Sequence, residues 1–185
     1  SILAELELTF EFYALDNIIC TVRSKCEADA DRVGMACKND EGEWVLINGN
    51  QTCLLFLYYI IKNRIAQGKM KGDEFIVKTI VTTELVKKVA DKYNIEMADC
   101  YTGFKWIARE IRLNEGKKLY IGGGEESYGF LAQDFVRDKD AVSACSLLAE
   151  ICAWAKDQGK CIHCSMRLER KLSRPGSVRL FLSRI

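Results

Sequence analysis

A chain of 185 residues with 49% hydrophobic and 29% charged side chains can bury a sizeable core under an ordinary solvated surface. Its formal net charge of +1 supplies no global field for nucleic acid or an anionic membrane, and neither is expected as a partner. Nine cysteines form an odd set with no opening signal-peptide pattern, and Cys53, Cys145 and Cys152 sit in apolar runs, which points to buried thiols in a reducing, cytoplasmic compartment.

The run 18–22 reads as a buried strand, and 33–37 and 44–47 read as two strands joined across the turn 38–42. The sequence Asn48, Gly49, Asn50 breaks that pattern before an apolar helix over 51–67, stopped at Gly68. Residues 53–61 are the longest apolar run and are too short to span a bilayer. The run 75–81 is the clearest strand. Thr82 or Thr83 can cap the next helix, 84–93, on which Leu85, Val86 and Val89 share a face. A second strand, 95–100, ends in Tyr101, Thr102 and Gly103. An amphipathic helix over 104–114 follows, with Trp106, Ile107 and Ile111 inward. The third strand, 118–121, empties into three glycines, and a helix over 141–156 closes the body. This alternation predicts an α/β fold: a three-layer α/β/α domain around a central mixed, partly parallel sheet. The segment 161–185 differs in composition, with six Lys or Arg against Glu169 alone.

Four loops carry candidate chemistry. Gly122, Gly123 and Gly124 let the backbone turn tightly and approach a ligand, and Glu125, Glu126 and Ser127 then stand at a strand mouth, suited to sugar hydroxyls. A plain glycine-rich turn is the competing reading. Glu27, Asp29 and Asp31 place carboxylates at alternate positions that can converge on a hard cation such as Mg²⁺, and Arg32 beside them offers a planar fork for phosphate. A solvated acidic turn is the alternative there, and an EF-hand is excluded because its glycine and distal Glu do not follow. Thr102, Gly103 and Phe104 form the third loop, with Lys105 opposing the helix dipole unless an anion lies near; a surface lysine is the plainer account. In the fourth, Asp138, Lys139 and Asp140 enter the last helix, which Asp138 or Asp140 could simply cap.

Taken in order, these loops resemble the phosphohexomutase superfamily, the phosphoglucomutases and phosphomannomutases, from about residue 27 to 160. The likeness rests on Glu27, Asp29, Asp31 and Arg32 against an Asp-x-Asp-x-Asp-Arg metal loop, and on Gly124, Glu125, Glu126 and Ser127 against a Gly-Glu-x-Ser sugar loop. Thr102, Gly103 and Phe104 match a specificity loop, and Asp138, Lys139 and Asp140 a helix entry. The resemblance implies interconversion of hexose 1-phosphate and 6-phosphate through a phosphoserine and a hexose bisphosphate, with Mg²⁺ at residues 27, 29 and 31. It implies a catalytic role for Arg32, and sugar-phosphate contacts from Thr102, Gly103, Lys105, Glu125, Ser127 and Lys139. It also implies a partial second domain over 1–48, a sugar-recognition domain over 49–160 and an atypical basic tail over 161–185.

The likeness has gaps. The family's serine nucleophile motif is absent from these 185 residues, Glu27 stands where Asp is the rule, and 173–177 match the family's phosphate-binding fourth domain poorly. The expectation is therefore a chain inactive alone, its partners being a sugar phosphate and the remaining domains, with the ends 1–26 and 161–185 aberrant. The alternative is a non-catalytic sugar-phosphate-binding module. The pair Cys161 and Cys164 has zinc-like spacing but no second pair to complete it.

Overall fold

The computed structural model describes residues 31–38 and 41–158, together with the backbone of two earlier strands. Glu27, Asp29, Cys161 and Cys164 lie outside those residues. Four antiparallel strands come first: β1 (Phe10–Glu11), β2 (Ile18–Val22), β3 (Gly34–Lys38) and β4 (Trp44–Ile47), in that spatial order. Alternation sets their faces. Met35, Cys37 and Ile47 point into the core, while Trp44 and Leu46 point out.

Helix α1 (Gly49–Ala66) begins two residues before the expected start because Asn48 and Gln51 make a reciprocal capping box. Every residue from Thr52 to Tyr59 on it is buried, so it is apolar all round rather than striped, as a helix enclosed on all sides must be. The helix is boxed between the β3–β4 hairpin, the last helix and the central sheet, and all four share one hydrophobic cluster.

The central sheet holds β5 (Glu74–Thr79), β6 (Glu96–Cys100), β7 (Leu119–Gly124) and β8 (Phe130–Leu131), in the order β6-β5-β7-β8. The first three run parallel and β8 pairs antiparallel to β7, the mixed sheet expected. Helices α2 (Leu85–Lys92), α3 (Phe104–Asn114) and α4 (Ala141–Asp157) complete the unit. Ile76, Ile121 and Phe130 face α1 and α4, whereas Phe75, Val77, Tyr120 and Leu131 face Ile107 and Ile111 of α3. That division makes three layers. Among the described residues no helix is long and apolar enough to cross a membrane.

Three local expectations are corrected. Strand β5 stops at Thr79, and Ile80 and Val81 form an exposed turn. Glycines 122–124 are not a loop but the last three residues of β7, because α1 and β5 press against them: a Cβ on Gly122 would lie 2.9 Å from Leu57, and one on Gly123 would strike the Val77 carbonyl. The glycines serve close packing before they serve any ligand. Trp106 is half-buried rather than inward, stacked edge-on against Tyr101 at 5.4 Å.

Candidate functional site

In the strand order β6-β5-β7 the chain leaves β5 on one side and returns on the other, so the crevice outside the carboxyl ends of β5 and β7 is the switch point where open α/β sheets bind ligands. Thr79 ends one of these strands, and Gly124 with Glu125 ends the other. Glu125 is 6% exposed. Its Oε1 accepts from the Gly103 N–H at 3.0 Å, at the start of α3. A carboxylate is favourable there because a helix N-terminus presents unpaired N–H groups and partial positive charge. Gly103 has φ 104°, a left-handed value that suits glycine, and α3 has no side-chain cap of its own. Glu125 supplies the missing acceptor from across the sheet. Its other oxygen, Oε2, accepts from the Ser127 hydroxyl at 3.4 Å.

Glu126 braces a different turn. Its Oε2 accepts from Thr79 Oγ1 at 3.0 Å and from Thr82 Oγ1 at 3.4 Å, and the two hydroxyls lie 2.8 Å apart. Thr82 is thereby taken from the capping role expected of it. The Thr83 hydroxyl instead accepts from the Leu85 N–H at 3.3 Å, with Glu84 in the cap position. Beneath this turn the fully buried Lys78 pairs with Asp99 at 2.7 Å and Glu84 at 2.9 Å. Burial alone would lower its pKa, but hydrogen bonds to both carboxylates outweigh that and raise it, so Lys78 is a fixed cation.

The segment from Asp31 to Val33 and the loop before the last helix meet here too. Arg32 forms an isolated bridge with Gly129, and the Val33 N–H donates to the Tyr128 carbonyl at 3.3 Å. Tyr128 has φ 72°, a strained value for a bulky residue, and holds its ring partly exposed beside Ser127. Lys139 Nζ lies 2.8 Å from Asp31 Oδ2 and 3.4 Å from Asp138, with the Phe104 ring centroid 5.5 Å away. Burial pulls the pKa of Lys139 down, yet the hydrogen bond it donates to Asp31 and the charges of Asp138 and Asp31 win and raise it. Asp140 is the plain cap, accepting from the N–H groups of Val142 and Ser143.

Of the residues singled out in the sequence, Asp31, Arg32, Gly103, Glu125, Ser127 and Lys139 thus converge. Thr102 is exposed at the rim, and Lys105 is exposed with its ammonium 5.6 Å from the Trp106 ring. For a cation, the telling atom is Asp31 Oδ1, buried and without a hydrogen-bond partner, as a ligand oxygen awaiting a hard ion would be. Among the described residues no set of three His, Cys, Asp or Glu is grouped to hold a metal. Of the three expected ligands, Glu27, Asp29 and Asp31, only Asp31 is among the described residues. Sequence reading missed Lys78, Thr79 and the bonds that tie Glu126 to Thr79 and Thr82. A lysine inside the apolar run 75–81 was the one available signal.

Comparison with known proteins accords with this geometry. The family model described as phosphoglucomutase/phosphomannomutase, alpha/beta/alpha domain III, matches residues 48–169. Phosphoglucomutases of Staphylococcus epidermidis and Staphylococcus aureus are 40% identical over 134 residues, covering 72% of this chain and 24% of theirs. The chain therefore spans about a quarter of the length of those relatives. A solved structure from Thermus thermophilus, assigned as a phosphomannomutase, superposes with TM-score 0.58 and 26% identity, covering 78% of this chain and 29% of that one. The Aspergillus fumigatus N-acetylphosphoglucosamine mutase, solved with GlcNAc-6P and magnesium, shares the fold at TM-score 0.56 and 14% identity, over 74% of this chain and 33% of its own.

Proposed function

We infer the function from a plain premise: the chain belongs to the phosphoglucomutase/phosphomannomutase family. It is the sugar-recognition part of an enzyme interconverting hexose 1-phosphate and hexose 6-phosphate. Residues 49–160 form the sugar-binding domain and 1–48 the end of a preceding one. The observation that carries the reading is the convergence of Asp31, Arg32, Gly103, Glu125, Ser127 and Lys139 near the mouth of β5 and β7, with Glu125 bonded to Gly103 and Lys139 bonded to Asp31.

Each group has a task that its surroundings suit. Glu125 Oε2, which accepts from the Ser127 hydroxyl, can also accept from a sugar hydroxyl while Oε1 stays anchored, so the acceptor is already oriented before the ligand arrives. Ser127 adds a hydroxyl that can donate or accept. Thr102 and the Gly103 backbone line the rim, and Lys105 adds positive charge above it. Arg32, exposed and held by its bridge to Gly129, can fork a phosphate in a catalytic position, and Lys139 supplies a second, point-like cation. Glu27, Asp29 and Asp31 would hold Mg²⁺, which supplies charge neutralisation at a transferring phosphoryl group. Positioning and charge are most of what phosphoryl transfer requires. The phosphorylated serine nucleophile and the hexose bisphosphate are contributions of the longer enzyme, because no such serine motif stands in these 185 residues. The compartment is cytoplasmic.

Calorimetric titration of the chain with glucose 1-phosphate tests the reading. Binding should occur and weaken at least about tenfold in Glu125→Ala and in Ser127→Ala, the loss of one or two hydrogen bonds to the sugar. No binding, or binding indifferent to both changes, would contradict sugar recognition. Turnover to glucose 6-phosphate by the chain alone, with bisphosphate activator added, would contradict the division of labour.

A further inference from the structure

Glu126 stands between Glu125 and Ser127 in sequence, yet its side chain turns to the end of β5. Its Oε2 takes the hydroxyls of Thr79 at 3.0 Å and Thr82 at 3.4 Å. Both threonines are buried and their hydroxyls lie 2.8 Å apart, so the pair shares one acceptor in that carboxylate. The anchor is firm. Asn50 Oδ1, in the first turn of α1, accepts from the Thr83 N–H at 2.8 Å, and the Lys78 ammonium donates to the Thr82 carbonyl at 3.3 Å. Helix α1 also presses on the loop itself. A Cβ on Gly49 would lie 2.0 Å from the Glu126 carbonyl oxygen and 2.8 Å from the Tyr128 nitrogen. The loop needs such a hold, because Tyr128 keeps φ 72° only where its surroundings over-determine it. Backbone bonds fix the far end, from the Glu125 N–H to the Gly129 carbonyl at 2.9 Å and from the Val33 N–H to the Tyr128 carbonyl at 3.3 Å. The Glu126 side chain fixes the near end, immediately before Ser127.

We propose that Glu126 is a positioning residue for sugar recognition: bound to the Thr79–Thr82 pair, it holds Glu125 Oε2 and the Ser127 hydroxyl in place before the sugar arrives. The inference rests on the reading of Glu125 and Ser127 as the sugar contacts. A loop held from a rigid turn presents its two polar groups already ordered, whereas a loose one must order them as the ligand binds. The role requires an acceptor rather than a charge, because both partners are hydroxyls. Glutamine, whose amide oxygen accepts as the carboxylate does, should therefore replace Glu126, and alanine should not.

The test titrates the whole 185-residue chain with glucose 1-phosphate. Glu126→Ala should bind about tenfold more weakly than wild type, because two freed side chains must be ordered on binding. Glu126→Gln should stay within about twofold of wild type, since the acceptor remains. Thr79→Val, which keeps the shape and loses the nearer hydroxyl, should weaken binding several-fold and add little to the loss in Glu126→Ala. In the free protein the ¹⁵N amide signals of Ser127 and Tyr128 should move in Glu126→Ala and return in Glu126→Gln, which a general loss of stability would not produce. Circular dichroism checks folding, and if Glu126→Ala does not fold, Thr79→Val decides. Wild-type affinity in folded Glu126→Ala or in Thr79→Val, or alanine-like binding in Glu126→Gln, overturns the positioning role alone, provided Glu125→Ala still weakens binding. If wild type does not bind, or binds with indifference to Glu125→Ala and Ser127→Ala, the sugar reading falls and the positioning role with it.

Discussion

The two ends of the parallel sheet handle buried carboxylates in opposite ways. At the amino end, Glu74 bonds its own turn: its oxygens accept from the N–H groups of Lys71 at 2.7 Å and Gly72 at 2.9 Å, two or three residues away. At the carboxyl end, Glu125 reaches Gly103 across 22 residues of sequence, and Glu126 reaches Thr79 across 47. The first arrangement needs only a local turn. The second exists only once the whole α/β unit has folded, and it fixes three loops around one mouth. A region that commits buried charge to distant loops is the region built to hold something else in place.

The largest expected effect comes from the glycines that let those loops approach. A Cβ on Gly49 would collide with the Glu126 carbonyl, and one on Gly123 with that of Val77, both rigid backbone atoms. Gly49→Ala and Gly123→Ala should each cost about 3 kcal/mol in denaturant unfolding, at the upper end for overpacking. A cost under about 1 kcal/mol would mean the loops are not pressed together as described. Next, Glu125→Ala strands a half-buried Gly103 N–H and removes charge from a helix N-terminus, about 2 kcal/mol. Glu74→Ala frees two N–H groups on exposed residues, where water replaces the carboxylate, about 1 kcal/mol. Equal losses at the two ends would erase the contrast.

Acid provides a third handle. Burial raises the Glu74 pKa, but the backbone N–H groups of Lys71 and Gly72, with Arg64 nearby, outweigh it, and the folded value lies below 4.5. The unfolded chain therefore takes up that proton first. The stabilisation from Glu74 should be complete above pH 4.5 and fade as the pH falls through the folded value, a loss that Glu74→Gln should not show in pH-dependent melting. The smallest effect is expected at Lys78. Its partners Asp99 and Glu84 are 43% and 69% exposed and rehydrate when it is removed, so Lys78→Met should stay within about 1 kcal/mol of wild type. A large loss would show that Lys78 holds the 79–84 turn by charge.

What was legible in the sequence follows the same division between local and distant. Helix α3 occupies residues 104–114 as its periodicity requires, and Asp140 caps α4 as a residue before an apolar run should. The Asn48–Gln51 capping box is equally local, yet the expected helix began at Gln51, two residues late, because Asn48 to Asn50 were read as a break. The glycines at 122–124 misled because turn formers become strand residues when a helix crosses them closely, a tertiary effect that no window of sequence contains. Glu125 and Ser127 were legible as a motif, but the partners of Glu126 were not, because nothing near residue 126 points to Thr79 or Thr82. Two-residue β8 was too short for alternation to register.

The most direct test of the central claim compares the two ends in one experiment. Backbone amide shifts of the ¹⁵N-labelled chain should be followed while glucose 1-phosphate is added. Gly103, Ser127, Gly129 and Lys139 should move together and saturably, while Lys71, Gly72 and the residues lining the cavity of about 350 Å³ beside Tyr59 and Arg64 stay still. Saturable movement centred on Tyr59 and Arg64, with the carboxyl end unmoved, would contradict the assignment of the site.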